Sequence, residues 1–478
     1  MISSDEMAVV DANAAALGVP RKQLMESSGN AVARAVRERA DPGDAVALVC
    51  GRGNNGGDAF VAARFLSAFD VTVHLLGRVE TVSTDIARAN WAALREAEID
   101  AREVKDSSAL SLGDPDVVVD AMLGTGVTGE LREPEATAAA AINDSGATVV
   151  AVDVPSGVDA DTGESAGVAV EADHVVTFHD AKPGLKRVDA TVTVADIGIP
   201  AAAELFVERG DLLRLSRDPA GHKGDFGEVL VVGGGPFTGA PALSAQAALR
   251  AGADLAYVAC PAAVADEVQG YSEDLIVDGL PGERLAPAHV DGLLEDAAGA
   301  DCVVLGPGLG DHEETLEAVR AFLERFDGAA VVDADALAVV PEVDTGATLL
   351  CTPHQGELRA MGGETADDWR ERADLVERFA ADLGATLLVK GAYDVVSDGE
   401  TTRVNRAGNP GMTVGGTGDV LAGASGALAC VLDPLEAAAL AAYANGTAGD
   451  LVVEGQGHGL TATDLLEAVP RALWPSGE

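Results

Sequence analysis

Lysine is nearly absent from this chain. It supplies six of the 32 basic residues, against 78 acidic ones, in a length of 478. The net charge of −46 excludes a protein that binds nucleic acid or rests on an anionic membrane, because both surfaces would repel it. Metal-type cysteine spacing is missing too. Cys50, Cys260, Cys302, Cys351 and Cys430 form no CxxC pair and no Cys/His cluster, which excludes zinc modules. Each lies in or beside an apolar segment, such as VALVC or LAYVAC, and reads as a buried reduced thiol. No apolar run reaches the roughly eighteen residues that a membrane-spanning helix needs. The opening MISSDEMAVVDANAAALG has no basic stretch followed by an apolar core, so no signal peptide is expected and a cytoplasmic location is.

What is present is a large globular capacity. Hydrophobic residues make up 47%, and the length exceeds one typical core, so at least two domains are expected. Acidic residues are spread evenly, without a polyacidic tail, and coat a folded surface. An acidic coat with so little lysine resembles that of proteins from salt-loving organisms, which work in molar potassium. Solubility at high salt accounts for the charge, and no binding partner follows from it. The lysine shortage singles out those that remain. Lys182 and Lys186 in AKPGLK, Lys223 in HKGDFG and Lys390 in VKGAYD sit among glycines, whereas Lys22 and Lys105 read as ordinary surface residues.

The first half alternates short β-branched runs with helical patterns. VALVC, VTVHLLG, VVVDAML, TVVAVDV, HVVTF and TVTVADIG read as strands. Such continuous runs separated by helices predict a parallel sheet covered on both faces. The rhythm restarts at GEVLVVGGG and continues through LAYVAC, CVVLGPG, AAVVDAD, ATLLCTPH and ATLLVKGAYDVV. Two α/β domains are therefore predicted, over residues 1–214 and 215–478, with the break near 211–218 and no long linker. Ligands of open parallel sheets sit at the carboxyl ends of strands, where this chain has its unusual loops.

CGRGNNGGDAFVAARFL reads as strand, loop and helix. Its glycines allow close backbone approach, and the helix start offers free N–H groups. Asn54, Asn55 and Asp58 add oxygen ligands suited to a sugar, a ring amide or a hard cation. Asp120 lies within VVVDAML and Asp153 ends TVVAVD, ahead of Pro155, Ser156 and Gly157. Alone, Asp153 reads as a turn or capping residue; with three converging loops it reads as a proton shuttle if partial burial raises its pKa. These segments, with LMESSGNAVA, GTGVTGELREP and VTFHDAKPGL, resemble the NAD(P)H-hydrate epimerase family across residues 1 to about 210. The resemblance implies a Rossmann-like fold that interconverts the R and S forms of NAD(P)H hydrate, hydroxylated at C6 of the nicotinamide ring. It implies substrate contacts from Asn54, Asn55, Gly56, Gly57 and Asp58, from Gly124, Thr125, Gly126, Val127, Thr128, Gly129 and Glu130, and from Asp153 as catalytic residue. It also implies a K⁺ ion on Asn55, Asp120 and Ser156. Ala59 stands where the family loop often has glycine, a small change expected to be tolerated.

NPGMTVGGTGDVLAGASGALA is a loop followed by a helix. Gly415, Gly416 and Gly418 let backbone N–H groups converge, and the helix adds its positive end, which together suit a phosphoryl group in flight. Asp419 is placed to take a proton from an attacking hydroxyl; in isolation it would read as a helix cap. With HKGDFG, GPGLG, DADAL, TPHQGE, KGAYD and NGTAGD, the segment resembles the ribokinase-like ADP-dependent NAD(P)H-hydrate dehydratases over about residues 220 to 470. The implied reaction phosphorylates the C6 hydroxyl of the S hydrate with ADP, after which phosphate leaves. Ala240, Gly308, His354 and Asp419 would contact the hydrate. Lys390, Gly391, Ala392, Tyr393, Asp394 and Gly418 would contact the nucleotide, with Mg²⁺ on its phosphates. Ala338 and Asn445 depart from the family pattern, outside the GGTGD centre. A homo-oligomer is expected for both families. The competing readings are a small-alcohol kinase fused to a nucleotide-binding module, and a first domain that binds without catalysing. GPGLG, TPHQGE and KGAYD argue against the former; Asn55, Asp120 and Asp153 argue against the latter.

Overall fold

Alternate residues of AVALVC face opposite ways, as the period of two in a strand requires. Val46, Leu48 and Cys50 enter one apolar cluster, while Ala47 and Val49 enter another. Such a strand has to be covered on both faces, and its neighbours share the pattern. The computed structural model describes residues 1–126 and 129–475, which divide into two compact units, Met1–Ala203 and Glu204–Glu478.

The first unit carries seven parallel strands: β1 (Ala45–Cys50), β2 (Asp70–Leu76), β3 (Asp100–Val104), β4 (Val117–Ala121), β5 (Thr148–Val152), β6 (His174–Phe178) and β7 (Thr191–Ala195). Their order is β3-β2-β1-β4-β5-β6-β7. Chain direction across the sheet reverses between β1 and β4, and the crevice there is where open α/β sheets bind ligands. Gly51 makes that crevice possible. Its N–H donates to Ala121 O at 2.9 Å. A side chain at Gly51 would place Cβ 1.8 Å from Met122 O, so no other residue fits between the two strand ends.

The second unit builds a nine-stranded sheet from β8 (Glu228–Val232), β9 (Leu255–Pro261), β10 (Ile276–Leu280), β11 (Cys302–Leu305), β12 (Ala329–Val332), β13 (Thr348–Cys351), β14 (Thr386–Val389), β15 (Asp394–Ser397) and β16 (Thr402–Asn405). The order is β10-β9-β8-β11-β12-β13-β14-β15-β16, parallel up to β14 and antiparallel beyond it. Val229 and Val231 of β8 enter one face's core, and Leu230 and Val232 the other's.

Three differences from the sequence prediction have physical causes. ATLLVKGAYDVV is not one strand: residues 390–393 turn back, held by Gly391 N–H donating to Asp394 Oδ1 at 2.9 Å, so β14 and β15 form a hairpin. Strands β3, β10 and β16 go unpredicted because they are short sheet ends without a continuous apolar run. Residues 204–214, assigned by sequence to the first domain, pack with the second unit. There Arg403 grips Asp211 at 2.8 Å, and Val207 N–H donates to Val404 O at 3.0 Å. All five cysteines are free; four are buried and Cys430 is half-buried. No described helix is long and apolar enough to cross a membrane.

Candidate functional site

A cavity of about 570 Å³ opens at the β1/β4 crevice of the first unit. Its walls include Asn54, Asn55 and Asp58 from the helix Asn54–Arg64, residues 124–126 after β4, and Asp153 after β5. The predicted loops thus converge. The helix start is capped by Gly53 with no side-chain hydrogen bond, which leaves its first N–H groups for a ligand. Asn54 Oδ1 accepts from Thr84 Oγ1 at 2.8 Å, so this side chain also fixes the neighbouring loop. Gly56 and Gly57 lie behind the wall, where a Cβ would strike Gly51 O at 2.2 Å and Met25 Sδ at 2.9 Å. Gly129 adopts φ +89°, and Glu130 packs along Gly167. Val127 and Thr128 lie outside the described residues.

Asp153 follows β5 at φ +66°, a left-handed conformation that costs a residue with a β-carbon about 1–3 kcal/mol. Its Oδ1 accepts from Thr177 Oγ1 at 3.0 Å and lies 3.1 Å from Nζ of Lys182. Lys182 is wholly buried, and Nζ also donates to Phe178 O at 2.8 Å and Asp180 O at 3.2 Å. Its three donors therefore have three acceptors. The sequence singled out Lys182 by the scarcity of its kind but gave it no role. Three further carboxylates share the cavity: Glu135, paired with Arg52 at 3.6 Å, Asp58 and Asp11. Asp58 is 8% exposed and its Oδ1 accepts from Ser28 Oγ at 2.6 Å. Burial pushes its carboxyl well above the usual range; the Ser28 hydrogen bond opposes this, and the charges of Asp153 and Asp11 add to it. Asp11, from the helix Ser4–Ala16, is also raised, first by burial. Asp11, Ser28, Met25 and Phe178 line the cavity without having been predicted, because they stand in helix and strand interiors that carry no loop signature.

Asn55, Asp120 and Ser156 form a connected set. Ser156 donates to Asp120 through Oγ at 2.7 Å and through N at 2.8 Å. Leu123 N–H donates to Ser156 Oγ at 3.1 Å, and Asn55 Nδ2 donates to Leu123 O at 2.8 Å. Asp120 is fully buried, and burial raises its carboxyl to about 6 against three hydrogen bonds. Among the described residues no lysine or arginine pairs with it.

The second unit has a cavity of about 770 Å³, walled by residues 415–418, Asn409, Lys390 and His354 among others. The helix Thr417–Ala429 begins there, capped by Gly416 at φ +96° with no side-chain hydrogen bond. Asp419 stands in its first turn, and its backbone carbonyl accepts from Ser244 Oγ at 2.9 Å. Burial, reinforced by the charge of Asp333, pushes the Asp419 carboxyl up to about 7, while Lys390 draws it back. Ala240 and Gly308 adjoin: a Cβ on Gly308 would lie 3.3 Å from that of Ala240. Lys390 Nζ is 3.0 Å from Asp333 Oδ1 and 3.8 Å from Glu357 Oε2. Burial works against its charge, but these carboxylates hold the ammonium above its usual range. His354 lines the cavity and caps the helix Gln355–Ala360, its Nδ1 accepting from Glu357 N–H at 2.9 Å. Gly391, Ala392 and Asp394 line the cavity as well. Asp394 accepts from Asn405 Nδ2 at 2.9 Å in addition to Gly391 N–H, which braces the turn. The Tyr393 ring stacks on Trp369 at 5.3 Å between centroids.

The fold and the two cavities define a two-unit α/β enzyme, a Rossmann-like unit followed by a ribokinase-like one. The second unit resembles a ribokinase-like superfamily protein from Enterococcus faecalis with a TM-score of 0.50 at 23% identity, over 56% of this chain and 95% of that one. A family model described as NAD(P)H-hydrate dehydratase matches residues 229–471, and one described as YjeF-related protein N-terminus matches 21–184. A bifunctional NAD(P)H-hydrate repair enzyme Nnr from Pyrobaculum aerophilum is 46% identical, covering 99% of this chain and 98% of the relative. The enzyme of that name from Methanothermobacter thermautotrophicus is 44% identical, covering 98% and 95%. The chain belongs to the family of bifunctional NAD(P)H-hydrate repair enzymes.

Proposed function

We propose that this chain restores hydrated nicotinamide cofactors, with its first unit interconverting R and S NAD(P)H hydrate and its second dehydrating the S form with ADP. The observation that carries the reading is the pairing of two unlike cavities in one family member: carboxylates at the β1/β4 crevice, and a glycine-walled helix start with Asp419 beside it. In the second unit, residues 415–418 offer N–H groups to the phosphoryl group, and Asp419 accepts the C6 hydroxyl proton as that oxygen attacks the β-phosphorus. AMP leaves. Phosphate then departs from C6 as the ring nitrogen lone pair closes onto that carbon, and loss of a C5 proton completes NAD(P)H. Ala240, Gly308 and His354 are assigned to the hydrate; Lys390, Gly391, Ala392, Tyr393, Asp394 and Gly418 to the nucleotide. Lys390 acts here through its ion pair with Asp333 as well as by its own charge.

Mg²⁺ fits on the nucleotide phosphates. Among the described residues no group of three or more His, Cys, Asp or Glu forms a cage, and a phosphate-borne Mg²⁺ needs only one or two carboxylates, here Asp333 and Glu357. K⁺ fits at Asn55, Asp120 and Ser156: all three bear oxygen, and the buried Asp120 carboxylate has hydrogen bonds but no described lysine or arginine partner. When bound, K⁺ would supply that counter-charge and fix the loops around the cavity. In the first unit, residues 54–58, 124–130 and Asp153 are assigned to the hydrate. The chain is proposed to act as a homo-oligomer in the cytoplasm. One assay tests the core reading: mixed R and S NADH hydrate with ADP, Mg²⁺ and high K⁺, followed by absorbance of the reduced ring. Conversion of both epimers is expected; a folded protein that converts neither overturns it.

A further inference from the structure

The first cavity holds four carboxylates; Glu135 pairs with Arg52 at 3.6 Å, and the partners of Asp58 and Asp153 differ in kind. Asp153 has an ammonium: Lys182 lies 3.1 Å away and is itself wholly buried. Asp58 has a hydroxyl: Ser28 Oγ donates to it at 2.6 Å. A buried carboxyl served by a single hydroxyl among other carboxylates is better accommodated with its proton on, whereas an ammonium partner suits a carboxylate that has to act as a base. Two acids in one cavity with partners of opposite kind are the arrangement that divides acid from base.

We propose that Asp58 is a catalytic proton donor of the epimerase cavity, working opposite Asp153 as the acceptor. This rests on the epimerase reading of that cavity. The Asp58 carboxyl gives its proton to the C6 hydroxyl of the hydrate. The C6–O bond breaks, water leaves, and the ring nitrogen lone pair forms the C6=N1 bond. Water then attacks C6 from the other face, the Asp153 carboxylate takes the proton that water sheds, and the C6=N1 electrons return to nitrogen. Atoms and charge balance, and the two aspartates end with their proton states exchanged. That exchanged form runs the reverse inversion, as interconversion of two epimers requires. Asp11 is left without a transfer of its own; its charge, with that of Asp153, favours the protonated form of Asp58.

The groups acting on Asp58 are Ser28 from the helix Arg21–Arg37, Asp11 from the helix Ser4–Ala16, and Asp153 from the end of β5; Arg21, Lys182 and the Arg52–Glu135 pair line the same cavity, and His179 acts on Asp11 by its charge. Because Asp58 has to be protonated to donate, epimerisation should fall as pH rises through its titration. The Ser28 hydrogen bond favours the carboxylate, so Ser28→Ala should carry that falling limb to higher pH. Asp58→Asn keeps the shape and the acceptor for Ser28 but has no acidic proton.

The experiment uses the full chain without ADP, pure R hydrate, and NMR to follow its inversion above the spontaneous rate. Asp58→Asn should lower the enzymatic rate by about 10²–10⁴-fold, the usual loss for a general acid. Inversion in H₂¹⁸O should place one labelled oxygen at C6. Ser28→Ala should move the falling limb upward, which a merely structural serine would not do. Inversion by Asp58→Asn within about threefold of wild type, or inversion without label, overturns the assignment. Wild-type protein that dehydrates S hydrate with ADP but inverts nothing removes the epimerase reading itself, and the role of Asp58 with it.

Discussion

Both units open a cavity at a glycine-led helix start, yet they surround it with opposite chemistry. The helix Asn54–Arg64 directly follows β1, its cap Gly53 has an extended backbone, and the cavity beside it contains Asp11, Asp58 and Asp153. The helix Thr417–Ala429 follows no strand of the parallel ladder, its cap Gly416 is left-handed, and its cavity wall draws on the glycine-rich residues 407–410 and 412–418. A wall of N–H groups suits an anion that is already charged, since it stabilises phosphate without exchanging protons. A wall of carboxylates suits a neutral hydroxyl that has to gain and lose one. The glycines are thus a shared means of letting ligand approach backbone. What surrounds them decides whether the site transfers a phosphoryl group or moves protons.

The sharpest test of that contrast removes the carboxylate from the phosphoryl site. Asp419→Ala should reduce dehydration of S hydrate by about 10²–10⁴-fold while R/S exchange continues at the wild-type rate, measured by NMR without ADP. Loss of both activities would mean that the units do not work independently. The reciprocal variant, Asp153→Ala, should leave S hydrate consumed quickly with ADP and R hydrate consumed only as fast as spontaneous exchange supplies it. Equal consumption of both epimers by this variant would take Asp153 out of the proton transfer.

A smaller effect should follow at the second glycine cap. Gly416 holds φ +96°, and a Cβ there would approach Ala462 Cβ at 2.8 Å and Leu243 Cδ1 at 2.9 Å. Gly416→Ala therefore strains the loop by about 1–3 kcal/mol. The KM for ADP should rise about tenfold, while R/S exchange is untouched. An unchanged KM would show that this backbone conformation does not matter to nucleotide binding.

The contrast was partly visible in the sequence, and the limits are physical. Asn55, Asp58, Asp120, Asp153 and Asp419 stand at strand ends or helix starts beside glycines, where short-range pattern and ligand placement coincide. Lys182 was conspicuous only as one of six lysines; its partner lies 29 positions away, and only the β5–β6 pairing brings them together. Asp11 sits in VVDANAAA, a helical stretch whose polar face looks like any solvated one. The same rule governs the fold. Strands buried on both faces, such as β1 and β8, announce themselves by continuous apolar runs. DAREV and IVDGL do not, because a sheet end buries only part of its residues. The β14–β15 turn was missed because KGAY carries no Asn-Gly or proline, and its geometry depends on Asp394 bonding back to Gly391.

A further expected effect lies in pH dependence, where the two units should run in opposite directions. As the proposed base, Asp419 has to be ionised; its carboxyl is raised to about 7, first by burial and then by Asp333. Dehydration of S hydrate should therefore rise with pH, reach half its plateau near pH 7, and level off above it. If Asp58 is the acid it has to be protonated; its carboxyl is raised well above the usual range, so epimerisation should fall as pH increases through its titration. The ratio of dehydration to epimerisation, measured on one sample from pH 6 to 9, should climb by up to tenfold for each pH unit in which both groups titrate. A ratio that stays flat would mean that the two cavities do not divide base from acid in this way, and that their difference lies in backbone shape alone.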